Sequence, residues 1–262
     1  DLRKPLSKDE ITEITQAWAE HHVLAFPDQQ ITDDDLETFT QYFGKLNDDP
    51  FFRPIQGRRY IAAIARHAEE KTAIFAEGWH SDWSFKEKPP IGTCLKGIII
   101  PPHGGDTLFA NQHLAYSNLP AELKEKIEHL TAIHSAVRAY SPDGLYGKPD
   151  PTANSAMQPI ISDEARATQP HPLVITHPAN GRKAIYGCFG YTLGIAGMEQ
   201  KEAEALLIEL HAWQTSEANV YRHQWRENML IMWDNRSVLH RATGGFEGHE
   251  RLLHRTTIWP AN

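Results

Sequence analysis

The chain has 262 residues, 40% of them hydrophobic, enough to bury the core of one catalytic domain. With 34 acidic residues against 26 Lys and Arg, its formal net charge of −8 gives no electrostatic reason to expect nucleic acid or an anionic membrane as partner, and small-molecule work is the better expectation. Two cysteines far apart, Cys94 and Cys188, give little support to a disulfide framework or zinc ribbon and fit thiols in a reducing cytoplasm, and no apolar run reaches the roughly 18 to 20 residues that span a bilayer.

The first residues, DLRKPLSKDE, are charged where a signal peptide is apolar, and a start at Asp1 instead of methionine leads us to expect a segment ahead of it. Ser7 and Glu10 form a capping-box pattern, and Ile11, Ile14 and Trp18 recur at helical spacing, which predicts a helix to about His21. The apolar VLAF behind it is a predicted strand. Thr32 and Asp35 open a second helix, with Asp33–Asp35 suited to its first turn, Leu36, Phe39 and Phe43 on one face, and Gly44 placed to end it. Beyond this point the chain turns strand-rich. The runs RRYIAAIAR, TCLKGIII, LVITH, KAIYGC, ANVYRHQW, NMLIMWD and LLHRTTIW are β-branched or aromatic and are separated by Pro, Gly, Asn and Asp. Two helices interrupt them, near Pro120 to Leu130 and from Met198 to about Thr215. The stretch 141–171, rich in Pro, Ser, Asp and Ala, is the expected lid or insertion of a single domain spanning 1–262. Many short strands with inserted helices predict a mainly β fold, a sandwich or jelly roll flanked by helices.

The candidate chemistry begins at His80-Ser81-Asp82. In a chain with this many His and Asp, chance alone supplies about one His-x-Asp triplet, so the motif needs support. Residues two apart on a strand point to one side, which lets His80 and Asp82 offer a nitrogen and an oxygen to one ion. Two histidines and one carboxylate leave about three coordination positions open on one face, a donor set suited to non-haem Fe(II) with a bidentate keto acid and O2. His240 is the candidate for the second histidine, because MLIMWDNRSVLHRA sets it just after an apolar strand and its polar turn. Further on, Arg251 opens a strand and Arg255 follows four residues later; an arginine fork suits a carboxylate held bidentately. His103, His113, His134, His177 and His254 are read as non-ligands, and Trp79, Trp83 and Trp233 as core or wall residues.

The segments WHSDWSF, HGGDTLFAN, YRHQW, MWDNRSVLHRAT and ERLLHRTTI, in this order and spacing, resemble the taurine dioxygenase and 2,4-dichlorophenoxyacetate dioxygenase family, and the likeness runs from Leu6 to Trp259. The resemblance implies a double-stranded β-helix (jelly roll, cupin-like) holding Fe(II) through His80, Asp82 and His240. It implies 2-oxoglutarate and O2 as co-substrates, with Thr107 and Arg251 on the distal carboxylate of the keto acid. It also matches Arg255 to the family arginine that reaches an anionic substrate group or the keto-acid end near the metal. The expected reaction is hydroxylation of a small anionic molecule, a carboxylate, sulfonate or sulfate ester, with a homodimer or homotetramer as family members often form. The carboxylate of Asp82 disfavours halogenation.

Departures from the family pattern bear on the substrate. Ala76 stands where taurine-cleaving members have an asparagine, and Asp49 and Phe52 align with their early-loop His and Tyr, which disfavours taurine itself. The candidate substrate wall is Arg255, Phe52, Ala76, Tyr140 and Tyr191, and with Phe51 it favours a larger or aromatic-bearing acid. The alternatives are a zinc-dependent hydrolase, which would need neither Arg251 nor Thr107, and a jelly-roll binding protein with a vestigial metal site.

Overall fold

The computed structural model describes residues 1–148 and 154–261. In chain order its elements are α1 (Lys8–His21), β1 (Val23–Phe26), α2 (Asp33–Gln41), β2 (Ala62–Arg66), β3 (Gly92–Ile99), β4 (Thr107–Asn111), α3 (Gln112–Asn118), α4 (Ala121–Ile127), β5 (Thr131–Ser135) and α5 (Val137–Tyr140). There follow β6 (Thr168–Pro172), β7 (Val174–Thr176), β8 (Lys183–Ile185), β9 (Thr192–Ile195), α6 (Gln200–Gln214), β10 (Val220–His223), β11 (Leu230–Asp234), β12 (Val238–Ala242) and β13 (Arg251–Ile258).

Both N-terminal helices begin as the pattern predicts. Ser7 and Glu10 satisfy each other's backbone N–H groups at the start of α1, and Thr32 and Asp35 do the same for α2. The predicted role of Gly44 is corrected. α2 ends at Gln41 with Tyr42 still right-handed, and Gly44 is not a left-handed cap. A side chain at Gly44 would lie 2.4 Å from the Trp259 carbonyl oxygen and 2.7 Å from Ile258 Cγ2, so close backbone approach to the last strand requires the glycine.

Two antiparallel sheets face each other in the jelly-roll manner. The larger has the order β1-β11-β3-β13-β2 and the smaller β10-β4-β12. In β11 alternate residues serve opposite faces, which explains its unbroken apolar run. Leu230 and Met232 pack with Trp18, Leu36 and Phe39 beneath the two N-terminal helices, while Ile231 and Trp233 pack with Leu95, Phe109, Val238 and Leu253 between the sheets. A third sheet, β6-β5-β9, and the β7-β8 ribbon pack under α3, α4 and α6 around Ile127, Ile185, Leu206 and Leu210.

Thr168–Pro172, the end of the 141–171 stretch expected to be a lid, pairs along β5 as an edge strand. Residues 149–153 of that stretch lie outside the described residues. Among the described residues no helix is long and apolar enough to cross a membrane.

Candidate active site

The smaller sheet and the loop after β2 bring the predicted ligands together. His80 and His240 form an isolated antiparallel bridge, the N–H of each donating to the carbonyl of the other at 3.0 and 2.8 Å, and their rings lie 4.2 Å apart. Two details differ from expectation. His80-Ser81-Asp82 is not a strand: after the one-residue bridge the chain turns, with Trp83 in the left-handed region at φ 49°, and the turn carries Asp82 back toward the two rings. His240 sits in the middle of β12, opposite Phe109 of β4, and not at a strand end.

Asp82 Oδ1 lies 4.0 Å from His80 Nε2 and 3.7 Å from His240 Nε2. Both distances are too long for hydrogen bonds, yet inside the ~4.2 Å that two ligand atoms can span on one ion with bonds of about 2.1 Å. The protonation states suit a cation. Burial holds both imidazoles below their ordinary value, His240 to about 3, so their lone pairs are free. Burial pushes Asp82 up, but His240, Arg255, His80 and a hydrogen bond from Thr93 outweigh it and keep it a carboxylate. His80 Nδ1–H donates to the Gly78 carbonyl at 2.8 Å, which leaves Nε2 free to bind an ion.

A buried relay fixes the carboxylate. Trp233 Nε1–H donates to Asn235 Oδ1, Asn235 Nδ2–H to Thr93 Oγ1, and Thr93 Oγ1–H to Asp82 Oδ2, at 2.9, 3.0 and 2.5 Å. With Oδ2 occupied, Oδ1 faces the histidines. Thr93 and Asn235 are neighbours of the candidate site that no sequence motif marks out. The signals were a threonine inside the apolar run TCLKGIII and the polar tail of MWDNRS. The donor set, two neutral imidazoles and an oriented carboxylate on one side of a cavity, fits Fe(II).

Across the recess β13 presents Arg251 and Arg255 on the same side, each only 6% exposed. Arg251 donates from Nη2 to the Gly105 carbonyl at 3.1 Å, its Nε has no partner, and no acid lies within ion-pair distance among the described residues. Burial pulls its pKa down to about 10 against a weak opposing pull from Asp106. A buried cation without a counter-ion calls for an anionic ligand. Gly105, at φ 66°, makes room for it: a Cβ there would lie 3.2 Å from Arg251 Nε. Thr107 lines the same recess; its Oγ1 accepts from Trp225 Nε1–H at 2.9 Å, so the hydroxyl proton remains for a ligand. These groups match the needs of a distal carboxylate.

The recess, of about 50 Å³, is lined by the three candidate ligands His80, Asp82 and His240 together with Trp83, Thr107, Trp233, Arg251 and Arg255. Ala76, Tyr140 and Tyr191 line it too, and they continue into an outer vestibule of about 470 Å³ with Trp79, Arg138, Leu145, Tyr146 and Phe189. Phe52 lines neither; it packs behind the wall on Phe75, Trp83 and Tyr140 and lies 5.3 Å from the Arg255 guanidinium. Burial pushes the phenols of Tyr140 and Tyr191 far up, so both stay neutral walls. The histidines read as non-ligands have other partners. His113 donates to the Lys183 carbonyl, His134 bonds to Ser84, His177 pairs with Asp234 and His254 with Asp33, while His103 packs on His249.

Against known proteins, the family model described as taurine catabolism dioxygenase TauD, TfdA family matches residues 1–257. An alkylsulfatase of Acinetobacter baylyi is 32% identical over 259 residues, 98% of this chain and 79% of that protein. A 2,4-dichlorophenoxyacetate dioxygenase of Cupriavidus pinatubonensis, named as alpha-ketoglutarate-dependent, is 32% identical over 274 residues, covering 98% and 91%. The crystal structure of a taurine dioxygenase from Burkholderia xenovorans superposes with a TM-score of 0.80 at 28% identity, over 99% of this chain and 83% of that one.

Proposed function

This chain belongs to the TauD/TfdA dioxygenase family, and from that premise we propose that it is an Fe(II)- and 2-oxoglutarate-dependent dioxygenase hydroxylating a C–H bond of a small anionic organic molecule, with release of succinate and CO2. The observation that carries the reading is the convergence of His80, Asp82 and His240 with Arg251, a buried guanidinium without an acid partner among the described residues, on one recess. A hydrolytic zinc site has no use for that cation, and a binding protein has no use for a carboxylate so firmly aimed at two neutral imidazoles.

In this reading His80, Asp82 and His240 hold the metal, while Arg251 and Thr107 hold the distal carboxylate of the keto acid. The bound metal, keto acid and O2 supply the oxidising power for attack on an unactivated C–H bond. The chain's own contribution is placement. The Trp233–Asn235–Thr93 relay keeps Asp82 oriented, and Trp83, Phe109 and Trp233 exclude water from the ligands. Tyr140, Tyr191 and Ala76, where the recess meets the vestibule, fix which substrate carbon faces the metal position. Similarity to an alkylsulfatase, a phenoxyacetate dioxygenase and a taurine dioxygenase supports a small anionic substrate. Both cysteines are free and buried, which suits a reducing cytoplasm.

The test is succinate formation with Fe(II), 2-oxoglutarate and O2 across a panel of carboxylates, sulfonates and sulfate esters, with Asp82→Ala as control. Substrate-dependent succinate in the parent and none in D82A is the expected result. Turnover supported by zinc without the keto acid, or an undiminished rate in D82A, contradicts the assignment.

A further inference from the structure

The second arginine of the recess already has an anion. Asp49, in the loop between α2 and β2, accepts the backbone N–H groups of Phe51 and Phe52 on Oδ1, each at 3.0 Å. Its other oxygen, Oδ2, pairs with Arg255 Nη2. The two side chains are 12% and 7% exposed. Phe52 and Trp83 lie 5.3 and 5.1 Å from the guanidinium, and Asp82 Oδ1 lies 3.9 Å from Nη1. Arg255 is thus enclosed by aromatic rings and two carboxylates.

Arg251, Arg255 and Asp82 in the recess, with Asp49 paired to Arg255 from behind, make a balanced set of charges. A ferrous ion and a dianionic keto acid add no net charge to it. An anionic group brought to Arg255 would either stand as an uncompensated charge in a dry site or evict Asp49 from two N–H donors and an ion pair. Burying an unpaired charge is the costlier kind of contact, and breaking a buried pair is nearly as costly.

We propose that Asp49 is a specificity-determining residue: as the resident anion on Arg255 it bars a substrate's charged group from the inner recess, so that an uncharged carbon end faces the metal position and the anionic group is carried outward. The inference rests on the dioxygenase reading above and departs from the expectation that Arg255 meets the substrate anion. The cavity divides in the same sense. The recess is small, and the vestibule outside it is nearly ten times larger, with mostly apolar walls, the carboxylate of Glu204 and the guanidinium of Arg138, which is tied to the carbonyls of Phe189 and Thr192 at 2.9 and 3.1 Å. Arg138 has no ion-pair partner among the described residues. An acid with a ring or several carbons between its charge and the reacting C–H bond fits; a two-carbon sulfonate does not.

Asp49→Asn tests this, because the amide oxygen still accepts from Phe51 and Phe52 while the charge is gone. The probes are propane-1-sulfonate and its neutral twin propane-1-sulfonamide. With Mn(II) and 2-oxoglutarate bound, calorimetry should show the sulfonate binding at least about tenfold tighter to D49N than to the parent, and the sulfonamide changing by less than about twofold. Adding Arg255→Gln to D49N should erase the gain. Metal-free protein should show the same order in thermal melts, with a larger saturable rise in Tm on adding sulfonate for D49N than for the parent. Equal sulfonate affinity of parent and D49N, or a gain that survives Arg255→Gln, overturns the proposal. Should D49N fail to melt cooperatively, Asp49→Ser keeps an oxygen for the same turn and carries the same expectation. Failure of the parent to bind 2-oxoglutarate with metal would instead strike the dioxygenase reading, and the metal-free comparison would still decide the role of Asp49.

Discussion

Replacing Arg251 with methionine should weaken co-substrate binding while strengthening the empty protein. Burial depresses the guanidinium from its usual value to about 10, which corresponds to about 3 kcal/mol against the charged form. Its single hydrogen bond, to the Gly105 carbonyl, returns about 1 kcal/mol. Methionine is similar in length, apolar and flexible enough to fill the space beside Gly105 and Phe246. The metal-free variant is therefore expected to gain roughly 1 to 2 kcal/mol, a rise of about 3 to 6 °C in Tm for a chain of this size. Binding should move the other way. Loss of a bidentate carboxylate contact removes two charge-assisted hydrogen bonds at about 1.5 kcal/mol or more each, so 2-oxoglutarate affinity should fall by about 100-fold or beyond. Thermal melts of the metal-free protein and calorimetry of the Mn(II)-loaded protein read the two effects separately. A variant that keeps its 2-oxoglutarate affinity within about threefold, or that melts well below the parent, would refute the reasoning and make Arg251 a structural ion.

Thr93→Val removes the donor that occupies Asp82 Oδ2 and strands Asn235 Nδ2, so metal affinity measured by chelator competition should drop by about 10- to 100-fold; unchanged affinity would reduce the relay to packing. Acid should destabilise the fold through His22 and His134, which burial holds at about 3. Because their folded values lie below the unfolded 6.5, the unfolded chain takes up protons first as pH falls. Stability is fully present above pH 6.5 and is lost toward pH 3, by roughly 2 to 3 kcal/mol between pH 7 and 5.5 for the pair, read from denaturant midpoints. His22→Asn, suited to the left-handed backbone there, should flatten about half of that slope, and an unaltered slope would exonerate His22. Gly44→Ala should cost about 2 kcal/mol or more because its Cβ meets the Trp259 carbonyl, whereas Gly190→Ala, which meets nothing within 4 Å, should be near neutral; equal melting of the two would show that the last strand gives way freely.

Local chemistry was legible in the sequence, and long-range pairing was not. Capping boxes at Ser7 and Thr32 name their helices because cap and partner lie three residues apart. Runs such as NMLIMWD and LLHRTTIW name central strands because both faces are buried. Residues 168–171 fall in the stretch expected to be a lid, yet with Pro172 they pair with β5, since an edge strand can point a missing N–H outward. Gly44 was assigned to a helix end because nothing nearby reveals a strand arriving from residue 258. At the site, His80, Asp82 and His240 came from motif order. The Asp49–Arg255 pair and the Thr93 relay join residues far apart in the chain, and one sequence carries no mark of such contacts.

The reciprocal bridge between His80 and His240 has a consequence for biogenesis. His240, the third candidate ligand, is made long after His80 and Asp82, and its strand β12 pairs with β4. Closing so long a loop is slow and gains little until the sheets meet. With His80, Asp82 and His240 holding the metal as proposed, its capture is a late event, because forms ending before β12 lack the third ligand.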